Sequence, residues 1–265
     1  MKATILGAGN IGMALAEGLR NSGRCSAADI TLTRRNEAAL VALREQGYSV
    51  STDNAAAIEE ADVVFLCVLP QQLKGVLAEI APALNTEQQL VVSVVTGVPL
   101  QDLRAALGDG LRAVRAMPNT ALRVKASMTC LAAAGATPED LQFVQGLFDT
   151  MGSSIVINEE LMSAATALCA CGIAFFLRSI RAAAQGGVEI GFHAHEAIRI
   201  AAQTALGAAQ LLAEGAHPEE EIDKVTSPKG CTIAGLNEME HQGLSSAMIK
   251  GIKLSANIAG QLYQK

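Results

Sequence analysis

A chain of 265 residues is long enough for two domains, each able to bury a core of its own. Half of the residues are hydrophobic, yet only 3% are aromatic and none is Trp, so the apolar mass is Ala, Leu, Val and Ile, which suits closely packed helices and sheets. A net charge of -6 without a basic run, and the lack of stacking aromatics, argue against a nucleic-acid partner.

The chain opens on an apolar strand, Ala3-Thr-Ile-Leu6, that runs into Gly7-Ala8-Gly9-Asn10-Ile11-Gly12 and then into an apolar-periodic helix. Glycines between strand and helix are the context that the G-x-G-x-x-G dinucleotide fingerprint requires. Gly7 permits the tight turn, Gly9 lets a pyrophosphate approach the backbone, and Gly12 lets the helix pack against the strand. Ile30-Thr-Leu-Thr33 reads as the second strand. After it, where an NAD site would carry an acidic residue for the ribose, stand Arg34-Arg35-Asn36. Two guanidiniums suit a 2′-phosphate, so the expected cofactor is NADP(H); the alternative is a solvated basic turn.

A helix over Glu37–Gln46 and a short strand over Tyr48–Ser51 lead to Asn54. The apolar run from Ala61 to Pro70 reads as a central parallel strand whose carboxyl end, Val68-Leu69-Pro70, faces the ligand crevice. A helix over Leu73–Leu84 follows, then a strand from Leu90 that ends at Thr96-Gly97 on the same side. Strand-like stretches at Leu111–Ala116, Ser127–Ala133 and Ser153–Ile157, with a helix over Pro138–Met151, continue the alternation, so the fold class is α/β with a doubly wound parallel sheet of Rossmann type. From residue 159 only helices are expected: about 161–185, Ala194–Glu214, Pro218–Val225, Ile233–Gln242 and Ser245–Gln264. The domains are therefore set at 1–158, binding the nucleotide, and 159–265, all-α. The uncharged stretch Leu161–Leu177 suits a buried bundle helix better than a membrane span. Six scattered cysteines show no disulfide framework, and with no leader recognised the expected compartment is a reducing cytoplasm.

The loop before the fourth of those helices, Val225-Thr-Ser227-Pro228-Lys229-Gly230-Cys231-Thr232, resembles the signature of pyrroline-5-carboxylate reductases, which usually reads S-P-G-G-T-T. The resemblance covers the whole chain, including Val68-x-Pro70-Gln71, Arg115-x-Met117-Pro118-Asn119-Thr120, Gly187-Val-x-x-Gly191 and Ala201-Ala-Gln203-Thr204. It implies NADPH-dependent reduction of a cyclic imine, Δ1-pyrroline-5-carboxylate, to L-proline. It also implies that Asn54, Val68, Leu69, Pro70 and Thr96 line NADPH beside the glycine turn and Arg34–Arg35. Backbone N–H groups at Gly230, Cys231 and Thr232 would hold the substrate carboxylate, and Lys229, which replaces the family's glycine, would add a second contact if the substrate is a related cyclic imine. The Thr232 hydroxyl would steady the protonated ring nitrogen as the catalytic group, and Glu159 matches an acidic position near the substrate. For Glu159 the alternative is a carboxylate at a helix N-terminus. The helical domains of the family interlock as dimers, which group into a decamer.

Several positions depart from the family pattern. Its S-G-S-G-P-A-Y run reads Cys169-Ala-Cys171-Gly172-Ile-Ala174-Phe175 here, and Lys229, Cys231, Leu69 and Ala121 are further changes. Two other readings therefore stand beside the first: a reductase of a related cyclic imine, and a catalytically weak NADPH-binding sensor. No metal is expected, because residues two apart on a helix, as in Cys169-x-Cys171, point about 200° apart and cannot chelate one ion.

Overall fold

The computed structural model describes residues 1–133 and 135–262; the last two positions of the helix expected over 245–264 lie outside them. The chain divides into two compact units, Met1–Cys171 with residues 253–262, and Gly172–Ile252.

In the first unit β1 (Ala3–Leu6) runs through the glycine turn into α1 (Asn10–Ser22), and β2 (Ile30–Thr33), α2 (Ala38–Glu45), β3 (Ser49–Ser51) and α3 (Asn54–Ile58) follow. Next come β4 (Val63–Leu66), α4 (Pro70–Ile80), β5 (Leu90–Ser93), α5 (Leu100–Leu107) and β6 (Arg112–Met117), then β7 (Ser127–Ala133), α6 (Pro138–Asp149) and β8 (Gly152–Val156). The eight strands form one sheet in the order β3-β2-β1-β4-β5-β6-β7-β8. Successive side chains point to opposite faces, so each strand feeds two cores. Ile5, Phe65 and Val92 pack with Leu15, Leu19 and Phe148 on one face. Leu6, Val64 and Val91 pack with Leu73, Leu77 and Leu103 on the other. Each such side chain contributes roughly 1.5–3 kcal/mol when fully buried.

Several sequence expectations need correction. The sheet is mostly parallel rather than wholly so, because β7 runs antiparallel to β6. The connection between them is a short stretch holding a 3-10 turn, Thr120–Val124, whereas a parallel return needs a dozen or more residues. The strand expected over residues 61–70 is only Val63–Leu66, with Leu69 the N-cap and Pro70 the first residue of α4. Proline fits there, since its ring pre-sets the helical φ and the missing N–H has no partner to lose. Accordingly α4 starts three residues early and stops at Ile80, before Pro82, while α3 and α5 were not foreseen.

After β8 the chain makes a 3-10 turn (Glu159–Leu161), α7 (Met162–Ala165) and a π turn (Thr166–Cys171). Met162, Ala165 and Cys169 bury themselves against Met117, Cys130 and Ala132 of β6 and β7. The helix expected to end at 185 continues as α8 (Gly172–Glu189). By length and composition alone, Glu159–Glu189 is long and apolar enough to cross a membrane.

In the second unit α8 forms an antiparallel hairpin with α9 (Ala194–Ala213), so close that a Cβ on Gly187 would stand 3.1 Å from that of Ala197. α10 (Pro218–Lys224), α11 (Cys231–His241) and α12 (Leu244–Ala259) follow, the last running on beyond this unit. α11 begins two residues before the expected Ile233. Among the described residues apolar side chains are left exposed on α8, α9, α11 and α12, among them Phe176, Leu206, Met239 and Ile249.

Candidate active site

Because β1, β2, β4 and β5 run parallel, their carboxyl ends lie along one edge, and the N-terminal candidates sit on that edge. The turn after β1 is held at both sides. Ala8 N–H donates to the Thr33 carbonyl at 3.0 Å, tying the glycine turn to the last residue of β2. On the other side Gly7, with φ +104°, is so close to the chain after β4 that an added Cβ would lie 2.6 Å from the Cys67 carbonyl oxygen and 3.0 Å from Val68.

The three glycines divide as the fingerprint demands. A Cβ on Gly12 would stand 2.2 Å from the Gly7 carbonyl oxygen, so α1 can cross the turn only without a side chain there. A Cβ on Gly9 would meet nothing within 4 Å: its missing side chain leaves open space rather than relieving a clash within the protein. Gly9 is also the N-cap of α1 and supplies no side-chain cap. The amides of Asn10, Ile11 and Gly12 therefore open the helix as an anion-binding end. These residues fit a dinucleotide pyrophosphate.

Arg34 and Arg35 follow β2 directly and are both exposed, and neither has an ion-pair partner among the described residues. Asn54 is locked in place next to them. The Thr33 hydroxyl donates to its Oδ1 at 2.6 Å, while its backbone N–H and Nδ2 donate to the two oxygens of Glu79 on α4 at 3.0 and 2.8 Å. Sequence reasoning missed Glu79, since its partner stands 25 residues away and no local pattern announces it. Val68 and Pro70 are half-buried, Leu69 is 62% exposed, and Thr96 is half-buried in the turn between β5 and α5.

Glu159 sits in the 3-10 turn after β8 and lines a hollow of about 490 Å³. Its Oε1 accepts from the Leu100 N–H at 2.7 Å and from Arg115 Nη1 at 3.0 Å. Arg115 is only 5% exposed, and its Nε has no partner among the described residues. Its burial is a feature that sequence reading did not find. Cys169 is likewise engaged, its single S–H shared between the Met128 and Met117 carbonyls, which lie 2.7 and 3.2 Å from Sγ. A hydrogen bond with Cys130, together with burial, pushes the Cys169 thiol up, and burial pushes that of Cys67 up. Both environments favour the protonated thiol, the poorer nucleophile.

The remaining candidates lie in the second unit. Gly230 N-caps α11, and its Cβ would fall 2.5 Å from the Ser227 hydroxyl and 2.9 Å from the Ser227 carbonyl oxygen, so only glycine fits this turn. Cys231, exposed, and Thr232, half-buried, are the first two residues of the helix rather than part of the loop as expected. Their amides and that of Ile233 thus open the helix without a side-chain cap. Lys229, at φ +59°, holds the left-handed backbone for which glycine is the default residue. His193 caps α9 and stacks on His195 with ring centroids 6.0 Å apart. A hollow of about 530 Å³ along α9, lined by Phe192, Arg199 and Gln203 among others, includes none of the sequence-identified site residues.

Residues 159–262 match the family model described as pyrroline-5-carboxylate reductase dimerisation, and residues 2–97 match that described as NADP oxidoreductase coenzyme F420-dependent. Among similar proteins, pyrroline-5-carboxylate reductase 1 of Dictyostelium discoideum is 51% identical over 98% of this chain, which spans about half (49%) of that relative's length. Pyrroline-5-carboxylate reductase 2 of the same organism is 45% identical over 95% of this chain and 90% of its own. The crystal structure of Plasmodium falciparum pyrroline carboxylate reductase with NADP bound has the same fold, with a TM-score of 0.91 over 99% of this chain and 98% of its own at 22% identity.

Proposed function

Since the chain belongs to the pyrroline-5-carboxylate reductase family, we propose that it reduces the C=N bond of Δ1-pyrroline-5-carboxylate with NADPH to give L-proline, the last step of proline synthesis. The observation that carries the cofactor half of this reading is the contrast between Gly12, closed against Gly7, and Gly9, open. In this reading Gly7 to Gly12 hold the pyrophosphate and Arg34 and Arg35 clasp the 2′-phosphate, which accounts for two exposed guanidiniums next to an anion-binding helix end. Asn54, Val68, Leu69, Pro70 and Thr96 line the cofactor. When bound, NADPH supplies a hydride.

The substrate carboxylate is held by the uncapped amides of Cys231 and Thr232 beyond Gly230, with Lys229 adding charge. The Thr232 hydroxyl accepts from the protonated ring nitrogen and so favours the iminium, the electrophilic form of the ring. Glu159 keeps Oε2 free of partners among the described residues and is assigned to the substrate side. We place the functional boundary between residues 158 and 159, where the dimerisation match begins. A small imino acid as substrate and a dimer as the minimal assembly fit that match and the exposed apolar residues of α8, α9 and α12, with dimers grouping into a decamer in a reducing cytoplasm.

The test follows NADPH consumption with racemic pyrroline-5-carboxylate and detects proline as product. Tight NADPH binding without turnover favours the sensor reading. Turnover of a different cyclic imine only, for which Lys229 in place of glycine is the motivating change, favours a related reductase.

A further inference from the structure

The motif Arg115-x-Met117-Pro118-Asn119-Thr120 has no part in the chemistry above, yet three of its groups converge on one segment. Arg115 pairs with Glu159, the Met117 carbonyl accepts from Cys169 Sγ, and Asn119 Nδ2 donates to the Cys169 carbonyl at 3.4 Å. The motif is thus a dock on which residues 159–171, the opening of the segment matched as the dimerisation region, are laid against β6 and β7.

The same Glu159 oxygen that meets Arg115 also accepts the N–H of Leu100, the first residue of α5. α5 has Pro99 as N-cap and no side-chain cap of its own, so Glu159 caps it from 59 residues away in the chain. The cap holds down the far end of the turn that starts at β5 and contains Thr96 and Gly97, the latter at φ +81°. We infer that Glu159 is a positioning residue for the cofactor-side turn: held by the buried Arg115, it fixes the start of α5 and thereby the placement of Thr96. This links the first residue of the dimerisation segment to the nucleotide edge inside one compact unit. The inference rests on the reading that Thr96 lies against NADPH.

The test separates reach from charge. Glu159→Gln keeps an oxygen of the same reach, so the Leu100 cap survives while Arg115 loses its counter-charge. Glu159→Asp keeps the charge but is one methylene short of the amide. NADPH binding, read by titration of its fluorescence, is expected to stay within about three-fold of the parent in E159Q and to weaken by about five- to ten-fold in E159D, a cap worth about one tenfold step in binding. Thermal melting is expected to fall in both, in E159Q because the buried guanidinium loses its counter-charge and in E159D because the one oxygen falls short of Arg115 as well as of Leu100, so that E159Q loses stability without losing NADPH binding. A role confined to stability predicts that binding follows melting. Binding that weakens more in E159Q than in E159D, or that is unchanged in both, overturns the inference. An unaltered parent that binds no NADPH instead overturns the proposed function.

Discussion

Alanine at Gly9 and at Gly12 adds the same methyl group to the same turn, and the structure assigns the two changes opposite consequences. At Gly12 the methyl carbon stands 2.2 Å from the Gly7 carbonyl oxygen, 3.2 Å from its carbonyl carbon and 3.3 Å from Ile5, so α1 must retreat from β1 by about 1 Å before the contact is tolerable. Such overpacking costs roughly 1–3 kcal/mol, or a melting point lower by about 2–4 °C for each kcal/mol in a chain of this size. At Gly9 there is nothing within 4 Å and φ is -84°, open to any residue. Alanine is a poorer N-cap than glycine, by up to about 1 kcal/mol, but a stiffer unfolded chain offsets about as much, and the apo protein should melt within about 1–2 °C of the parent. NADPH binding should nonetheless weaken by about ten- to a hundred-fold, as the pyrophosphate loses one close charge-assisted N–H contact of roughly 1.5–3 kcal/mol. The assay is a melt without cofactor beside an NADPH titration by calorimetry. A Gly9→Ala protein that binds NADPH like the parent would refute the placement of the pyrophosphate, and a Gly12→Ala protein that melts like the parent would refute the packing argument.

Replacing Arg34 and Arg35 with Ala should weaken NADPH by roughly 1.5–3 kcal/mol for each charge-assisted bond lost, and leave NADH nearly unchanged; equal losses for the two cofactors would remove both arginines from the 2′-phosphate. Thr232→Val is nearly isosteric and should lower kcat more than it raises KM, as expected of a hydroxyl that acts in the transition state; an unchanged kcat takes Thr232 out of the mechanism. The third concerns acid. The Arg112 guanidinium beside Asp140, helped by the Thr137 amide and hydroxyl, holds the Asp140 carboxyl below the usual carboxylate range against the opposing effect of burial. Its stabilisation is therefore complete above the unfolded carboxylate pKa of about 4 and is lost as pH falls through the lower folded value. Asp140→Asn should cost about 1–3 kcal/mol at neutral pH and flatten the acid limb of the melting curve; an identical pH dependence in the variant sinks the assignment.

What was legible in the sequence was what is local. The glycine turn lies within six residues of one strand end, and the apolar runs at Val63–Leu66 and Leu90–Ser93 report burial on both sheet faces without reference to any partner. The contacts that hold the site together are not local. Asn54 depends on Glu79, and Arg115 on a carboxylate 44 residues away, and a charged residue in a strand reads as solvated until its partner is known. The antiparallel β7 was hidden because alternation of type says nothing about direction; only the short connection that contains Thr120–Val124 decides it. The early start of α11 was missed for a related reason. Gly230 caps through its conformation, without the Ser, Thr or Asp that marks a helix start in sequence.

The bare first turn of α1 also reaches beyond catalysis. A helix whose opening amides lack a side-chain cap is stabilised further when a phosphate binds there, so the cofactor doubles as a structural component. At a hundredfold excess over its Kd it adds about 2.7 kcal/mol to the folded state. Protease resistance should then rise with the concentration of the dinucleotide in either redox state, because both states carry the same phosphates.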